Sequence, residues 1–127
     1  MSKSKQKRDY MLFIEDILTC IEKIERYTSN VSFKDFCGND MAVDAVIRNF
    51  EIIGEAVKKI PEEIRMKYAE VEWKEAAGFR DFLIHDYFGI DLEAVWDTIR
   101  NNIPPFKKPI IKVLKSERAS ERGAKND

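Results

Sequence analysis

The chain is 127 residues long, with 44% hydrophobic and 35% charged residues but only five Gly and four Pro, which fits one domain with a real core and excludes collagen-like, largely disordered or turn-dense β architectures. Its 22 Lys/Arg and 23 Asp/Glu nearly cancel, yet unevenly: residues 1–8 and 107–127 each carry +4 while 9–106 carries −9, a poor surface for non-specific attraction to phosphate backbones. Apolar runs such as 11–14 are too short to cross a bilayer or to form a signal-peptide core, so a cytoplasmic protein without membrane association is expected. Cys20, Cys37 and the single His85 are too few for a Cys/His zinc site, and both cysteines are expected as free thiols.

Taken in chain order, Met11, Ile14, Ile17, Leu18, Ile21 and Ile24 recur at steps of three and four and predict an amphipathic helix over about 9–27. Ser32 before Phe33 and Phe36 predicts a short capped turn of helix, and Asn39 or Asp40 caps the next one. That helix, about 41–60, has Val43, Val46, Phe50, Ile53, Val57 and Ile60 in a 3-4-3-4-3 series, flanked by Ala42, Ala45, Ile52 and Ala56. So wide an apolar arc suits a central helix packed on two sides. Its remaining stripe, Asp44, Arg48, Glu51 and Glu55, reads as an exposed ridge of i,i+4 pairs such as Asp44 with Arg48.

Pro61 followed by Glu62 and Glu63 predicts a short helix to about 68, a further helix covers about 73–85, and Gly89 is a plausible stop. Asp91 caps a helix through about 102 whose Leu92, Val95, Trp96 and Ile99 form another buried stripe. Pro104-Pro105 interrupts the pattern; one or two helical turns over 106–115 and a disordered tail over 116–127 are expected after it. The organisation is therefore a basic end (1–8), an all-α bundle of four to five principal helices (9–106) and a basic tail (107–127), with no repeat, phosphate loop or strand-like alternation.

The segment GFRDFLIHDYFGID, residues 78–91, gathers Arg80, Asp81, His85 and Tyr87 within eight positions at the end of a helix. On a straight helix His85 lies about 140° around from Arg80 and directly above Asp81, whose carboxylate can fix the imidazole tautomer. Arg80 and His85 can meet on one substrate if the helix ends near His85, if the long Arg side chain wraps around, or if a second subunit completes the site. A guanidinium suits phosphate, and an imidazole can give and take a proton at neutral pH. Together, without metal ligands, they suggest metal-independent phosphodiester chemistry in which the 2′-hydroxyl of RNA is the nucleophile. The plainer alternative has His85 and Tyr87 capping a helix and Arg80 paired with Asp81 or Glu75.

Arg80, His85 and Tyr87 form an R-x-x-x-x-H-x-Y pattern that resembles the HepT-type toxins, HEPN-domain ribonucleases encoded beside a minimal nucleotidyltransferase antitoxin of MntA type. The likeness extends to DAVIRNFEIIGEAVK over 44–58, WKEAAGFR over 73–80 and FGIDLEAVWDTI over 88–99, in that order, and covers about 8–106. What the resemblance implies is a HEPN-like homodimer whose Arg-His pairs face each other across a cleft, acting as a metal-independent RNA endonuclease toxin. Arg80 and His85 would be catalytic, with Asp81 beside them, and the ridge of Asp44, Arg48, Glu51 and Glu55 would either line the same cleft or stay an exposed surface. Tyr87 would be the acceptor of AMP, and ATP would be the substrate of the partner nucleotidyltransferase, so the chain itself needs no cofactor. Asp81 departs from the Asn common at that position in the family. The competing expectation is a non-catalytic helical partner or substrate subunit of a nucleotidyltransferase, also acting through Tyr87.

Overall fold

The computed structural model describes residues 3–85 and 89–126, with side chains over 5–85 and 89–120, and every regular element among them is helical. Helix α1 (Lys3–Thr28) turns Met11, Ile14, Ile17, Ile21 and Ile24 into the core, each of which contributes roughly 1.5–3 kcal/mol by leaving water. Its last turn is closed by the Thr28 hydroxyl donating to the Ile24 carbonyl at 2.8 Å. The chain then reverses through Asn30, held at φ 58°, a left-handed conformation that Asn tolerates. Helix α2 (Phe33–Cys37) starts where the Ser32 hydroxyl accepts from the Asp35 N–H at 3.1 Å, and its Phe36 is fully buried against Trp96.

Helix α3 (Asp40–Lys59), capped by Asn39, is the central element: it packs on α1 along one side and on α5 (Trp73–Ile84) along the other. That two-sided burial accounts for its wide apolar arc. Helix α4 (Glu62–Lys67) follows Pro61 as a short connector, and the Trp73 indole N–H anchors the start of α5 by donating to the Tyr68 carbonyl at 3.0 Å. Asp91 caps α6 (Leu92–Asp97) by accepting from the Ala94 N–H at 3.2 Å. Four long helices and three short ones thus make the all-α bundle that the periodicity predicts.

Two stretches differ from the sequence expectation. Helix α1 begins at Lys3 rather than near residue 9, so Lys5, Lys7 and Arg8 lie in its first turns. After α6 the chain does not stop at Pro104-Pro105: a π-helical turn, Thr98–Asn102, leads directly into α7 (Ile103–Asn126). The Ile103 N–H reaches back five residues to the Thr98 carbonyl. The two prolines therefore fall in the first turn of a new helix, where a missing N–H removes little. Pro109 lies inside α7 and removes one helical hydrogen bond.

Packing holds α7 in place despite its prolines. Ile110, Val113 and Leu114 are buried, and Glu117, in the stretch expected to be a tail, is only 3% exposed. Its carboxylate accepts from the Tyr10 hydroxyl of α1, from the Tyr68 hydroxyl after α4, and from the Lys67 ammonium at 3.0 Å. Burial opposes the charge, but the two phenols and the ammonium outweigh it and hold the carboxyl down at about 2. The Tyr10 phenol is pushed above its ordinary range, first by burial and then by its bond to Glu117. No helix among the described residues is long and apolar enough to cross a membrane.

Candidate active site

The site begins with a missing side chain. A Cβ on Gly54 of α3 would lie 2.2 Å from the Cβ of Arg80, so only glycine lets α5 approach α3 this closely. The aliphatic stem of Arg80 lies against that bare backbone with Nε buried, and the guanidinium emerges between two carboxylates. Nη2 is 3.3 Å from Glu55 Oε1 and Nη1 is 3.3 Å from Asp81 Oδ1. Next to Arg80, Phe79 meets Phe50 of α3 edge-on at 5.0 Å and stacks on Phe82 at 5.9 Å, which fixes the rotation of α5 about its own axis.

Of the two sequence expectations for Asp81, a bond to the His85 imidazole or a pair with Arg80, the contacts show the pair with Arg80. Asp81 Oδ1 receives the ammonium of Lys58 at 2.7 Å as well as Nη1 of Arg80. The Lys58 hydrogen bond, with Arg80 adding to it, keeps the Asp81 carboxyl below the usual carboxylate range. Spacing along α5 points to i±4 neighbours and cannot reveal a cation from α3. Helix α5 ends at Ile84, and His85 is its C-cap: its N–H bonds to the Asp81 carbonyl at 3.0 Å and its side chain is exposed. That N–H bond is the regular i→i−4 one, so His85 keeps the helical phase and lies about 140° around α5 from Arg80. Gly89, at φ 104°, turns the chain toward α6 in a conformation that L side chains rarely adopt. Tyr87, the expected AMP acceptor, lies outside the described residues.

Of the charged stripe on α3, Glu55 reaches Arg80, Arg48 pairs with Glu51 at 3.6 Å, and Asp44 is exposed. The i,i+3 pair replaces the expected Asp44–Arg48 pair. Sequence reasoning missed Gly54 and Lys58. For Lys58 a signal existed: the steps 44, 48, 51, 55 continue at 58, so the stripe leads one step further to the residue that binds Asp81. A separate apolar cavity of about 140 Å³ is lined by Phe50, Ile53, Phe79, Ile103 and Phe106 and includes neither Arg80 nor His85. Among the described residues no group of three or more His, Cys, Asp or Glu is arranged to hold a metal ion.

The site thus presents a guanidinium and an ammonium, each paired with carboxylate yet open to solvent, at the end of a helix that finishes in an exposed imidazole. Such groups can bind an anion and move a proton beside it. The family model described as ribonuclease HepT-like matches residues 17–113, a stretch that includes α3, α5 and both Arg80 and His85. A Methanocaldococcus jannaschii protein named "Putative RNase MJ1216" is 47% identical over 109 residues, covering 86% of this chain and 90% of the relative. A Thermococcus cleftensis protein named "Probable ribonuclease HepT" is 42% identical over 109 residues, covering 86% of this chain and 99% of the relative. One from Caldanaerobacter subterraneus, named "Putative RNase TTE0752", is 42% identical over 106 residues, covering 84% and 95%. No solved structure matches the chain significantly. With a family model spanning most of the bundle and relatives aligned over nearly their full length, the chain belongs to the ribonuclease HepT-like family.

Proposed function

We propose that the protein is a metal-independent RNA endonuclease, working in the cytoplasm as the toxin of a toxin–antitoxin pair, with Arg80 and His85 as its catalytic residues. The observation that carries this reading is the seat of Arg80 on Gly54, which aims a guanidinium to the surface five residues before an exposed imidazole at the helix end. In the reaction the 2′-oxygen attacks the neighbouring phosphorus and the bond to the 5′-oxygen breaks, leaving a 2′,3′-cyclic phosphate and a 5′-hydroxyl. Arg80 holds the non-bridging oxygens as their charge grows, and His85 transfers the proton that leaves the 2′-oxygen or joins the 5′-oxygen. Glu55 holds the guanidinium from α3, and the stripe of Asp44, Arg48 and Glu51 runs along α3 toward it.

Two further parts complete the reading, the first resting on the R-x-x-x-x-H-x-Y spacing. Tyr87 accepts AMP from a minimal nucleotidyltransferase that uses ATP, and the attached phosphate takes the place of the substrate phosphate at Arg80. Two copies pair near α5, where Phe82 and Ile84 are large, apolar and exposed beside the motif. Incubating the purified protein with RNA in EDTA tests the nuclease: cleavage that disappears in His85→Ala supports it, and undiminished cleavage by folded His85→Ala rejects it. Light scattering tests the dimer, which a monomer mass at micromolar concentration rejects. Co-expression with the nucleotidyltransferase, read by mass spectrometry, tests Tyr87. The occupation of Arg80 by two carboxylates favours one competing reading, a non-catalytic partner of the nucleotidyltransferase. RNA left intact by well-folded protein, with AMP still added to Tyr87, would establish it.

A further inference from the structure

The candidate site contains a conflict. Arg80 must meet a phosphate, yet its guanidinium already lies 3.3 Å from each of two carboxylates, Glu55 and Asp81. Two carboxylates around one guanidinium leave that trio with a net charge of −1, which opposes an incoming phosphate. Asp81 and Glu55 are about equally accessible, at 48% and 45%, but Asp81 has a second cation beside it and is adjacent to Arg80 on the same helix.

Lys58 changes the balance. Its ammonium is 2.7 Å from the same Oδ1 that Arg80 approaches at 3.3 Å, so the shorter bond of Asp81 goes to lysine. Lys58 comes from the last turn of α3, one turn beyond the Gly54 on which Arg80 is seated, so the close helix crossing that places Arg80 also places its competitor's partner. Lys58 and Arg80 remain 44% and 22% accessible, so the group stays within reach of a ligand. We infer that Lys58 is a positioning residue for RNA cleavage: it holds the Asp81 carboxylate and thereby leaves Arg80 available to the substrate phosphate. This inference rests on the ribonuclease reading above.

The test is a rescue. Lys58→Met is expected to lower kcat/KM for RNA cleavage in EDTA by about tenfold, because Asp81 then turns fully to Arg80. Lys58→Arg keeps the cation and should stay within about threefold of wild type. Adding Asp81→Asn to Lys58→Met removes the competitor and should restore cleavage to within about threefold, whereas adding Glu93→Gln, the same change of charge on α6, should not. Wild-type rates in Lys58→Met overturn the inference. So does a double variant with Asp81→Asn that stays as weak as Lys58→Met, which would place Lys58 on the RNA itself, and so does equal rescue by Glu93→Gln, which would reduce Lys58 to bulk charge. Circular dichroism confirms folding, and the exposure of Lys58 and Asp81 makes these variants well tolerated. Binding of a 2′-O-methyl oligoribonucleotide, which has no free nucleophile, follows the same variants without cleavage. A wild type that binds this probe but cuts no RNA rejects the ribonuclease reading, while the order of binding among the variants still decides the role of Lys58.

Discussion

Two clusters of opposite charge join the helices of this protein, and they differ in what they leave open. Around Glu117 a single buried carboxylate takes three donors from α1 and from the segment around α4, and so clamps α7 to the bundle. Around Arg80 two cations face two carboxylates at the crossing of α3 and α5, and all four side chains keep solvent access. The first has its carboxylate buried and its oxygens taken by three donors, only the Lys67 ammonium reaching solvent, so that anion is closed to exchange with a ligand. The second is half wet: its pairs contribute little to stability, and a phosphate can replace a carboxylate without unfolding anything. Burial, more than composition, separates the cluster that holds the fold from the one suited to chemistry.

The largest expected effect breaks the Arg80 cluster. Arg80→Ala and His85→Ala should each lower RNA cleavage by at least about 100-fold while changing stability by no more than about 1 kcal/mol. Cleavage assays in EDTA beside denaturant melts would check both numbers on the same preparations.

Breaking the other cluster should do the reverse. Glu117→Gln leaves two phenols and an ammonium facing a neutral amide and should lower stability by about 3 kcal/mol, the scale set by the depression of the carboxyl. Cleavage per folded molecule should be unchanged. The same group predicts an acid limb: a carboxyl held at about 2 against an ordinary 4.5 contributes stability that is fully present above about 4.5 and is lost as pH falls through about 2. Thermal melts from pH 7 to 2 should show this limb in the wild type, and Glu117→Gln should lack this contribution.

Gly54→Ala should affect both properties moderately. The new methyl would meet the Arg80 Cβ at 2.2 Å, so α5 must shift outward. Overpacking of this kind destabilises by about 1–3 kcal/mol. The shift moves Arg80 as well, and cleavage by the folded fraction should fall about tenfold. A variant that loses stability with its cleavage rate intact would mean that Arg80 does not need this seat.

The same contrast decides what could be read from the sequence. Helices α1 and α3 were legible because Ile14, Ile17, Ile21 and Ile24, and Val46, Phe50, Ile53 and Val57, repeat at helical spacing, and the caps Ser32, Asn39 and Asp91 mark real starts. Arg80 and His85 stood out through the R-x-x-x-x-H-x-Y resemblance, a pattern local in the chain. The pairings of Lys58 with Asp81, 23 residues apart, and of Tyr10 with Glu117, 107 apart, depend on how helices cross, which periodicity does not encode. Helix α7 was hidden for a different reason: prolines normally end a helix, and only the π-helical turn at Thr98–Asn102 places Pro104 and Pro105 where a helix begins.

The smallest expected effect sharpens the boundary between stability and function along α3. Arg48 is 63% exposed and pairs with Glu51 at 3.6 Å across an i,i+3 step, a geometry that is weak in water and screened by salt. Arg48→Ala should therefore change stability by less than about 0.5 kcal/mol. Its position, two turns below Glu55 on the stripe that leads to Arg80, makes it a gauge of how far the functional surface extends. If the surface ends at Glu55, Arg48→Ala should cut RNA within about threefold of wild type, with no change in the salt dependence of binding, because no phosphate loses a partner. This is the expected outcome, since Arg48 lies two turns of α3 away from Glu55, the stripe residue that reaches Arg80. A larger fall in cleavage together with a shallower salt dependence would instead make the whole stripe from Asp44 to Glu55 the wall of the RNA-binding cleft.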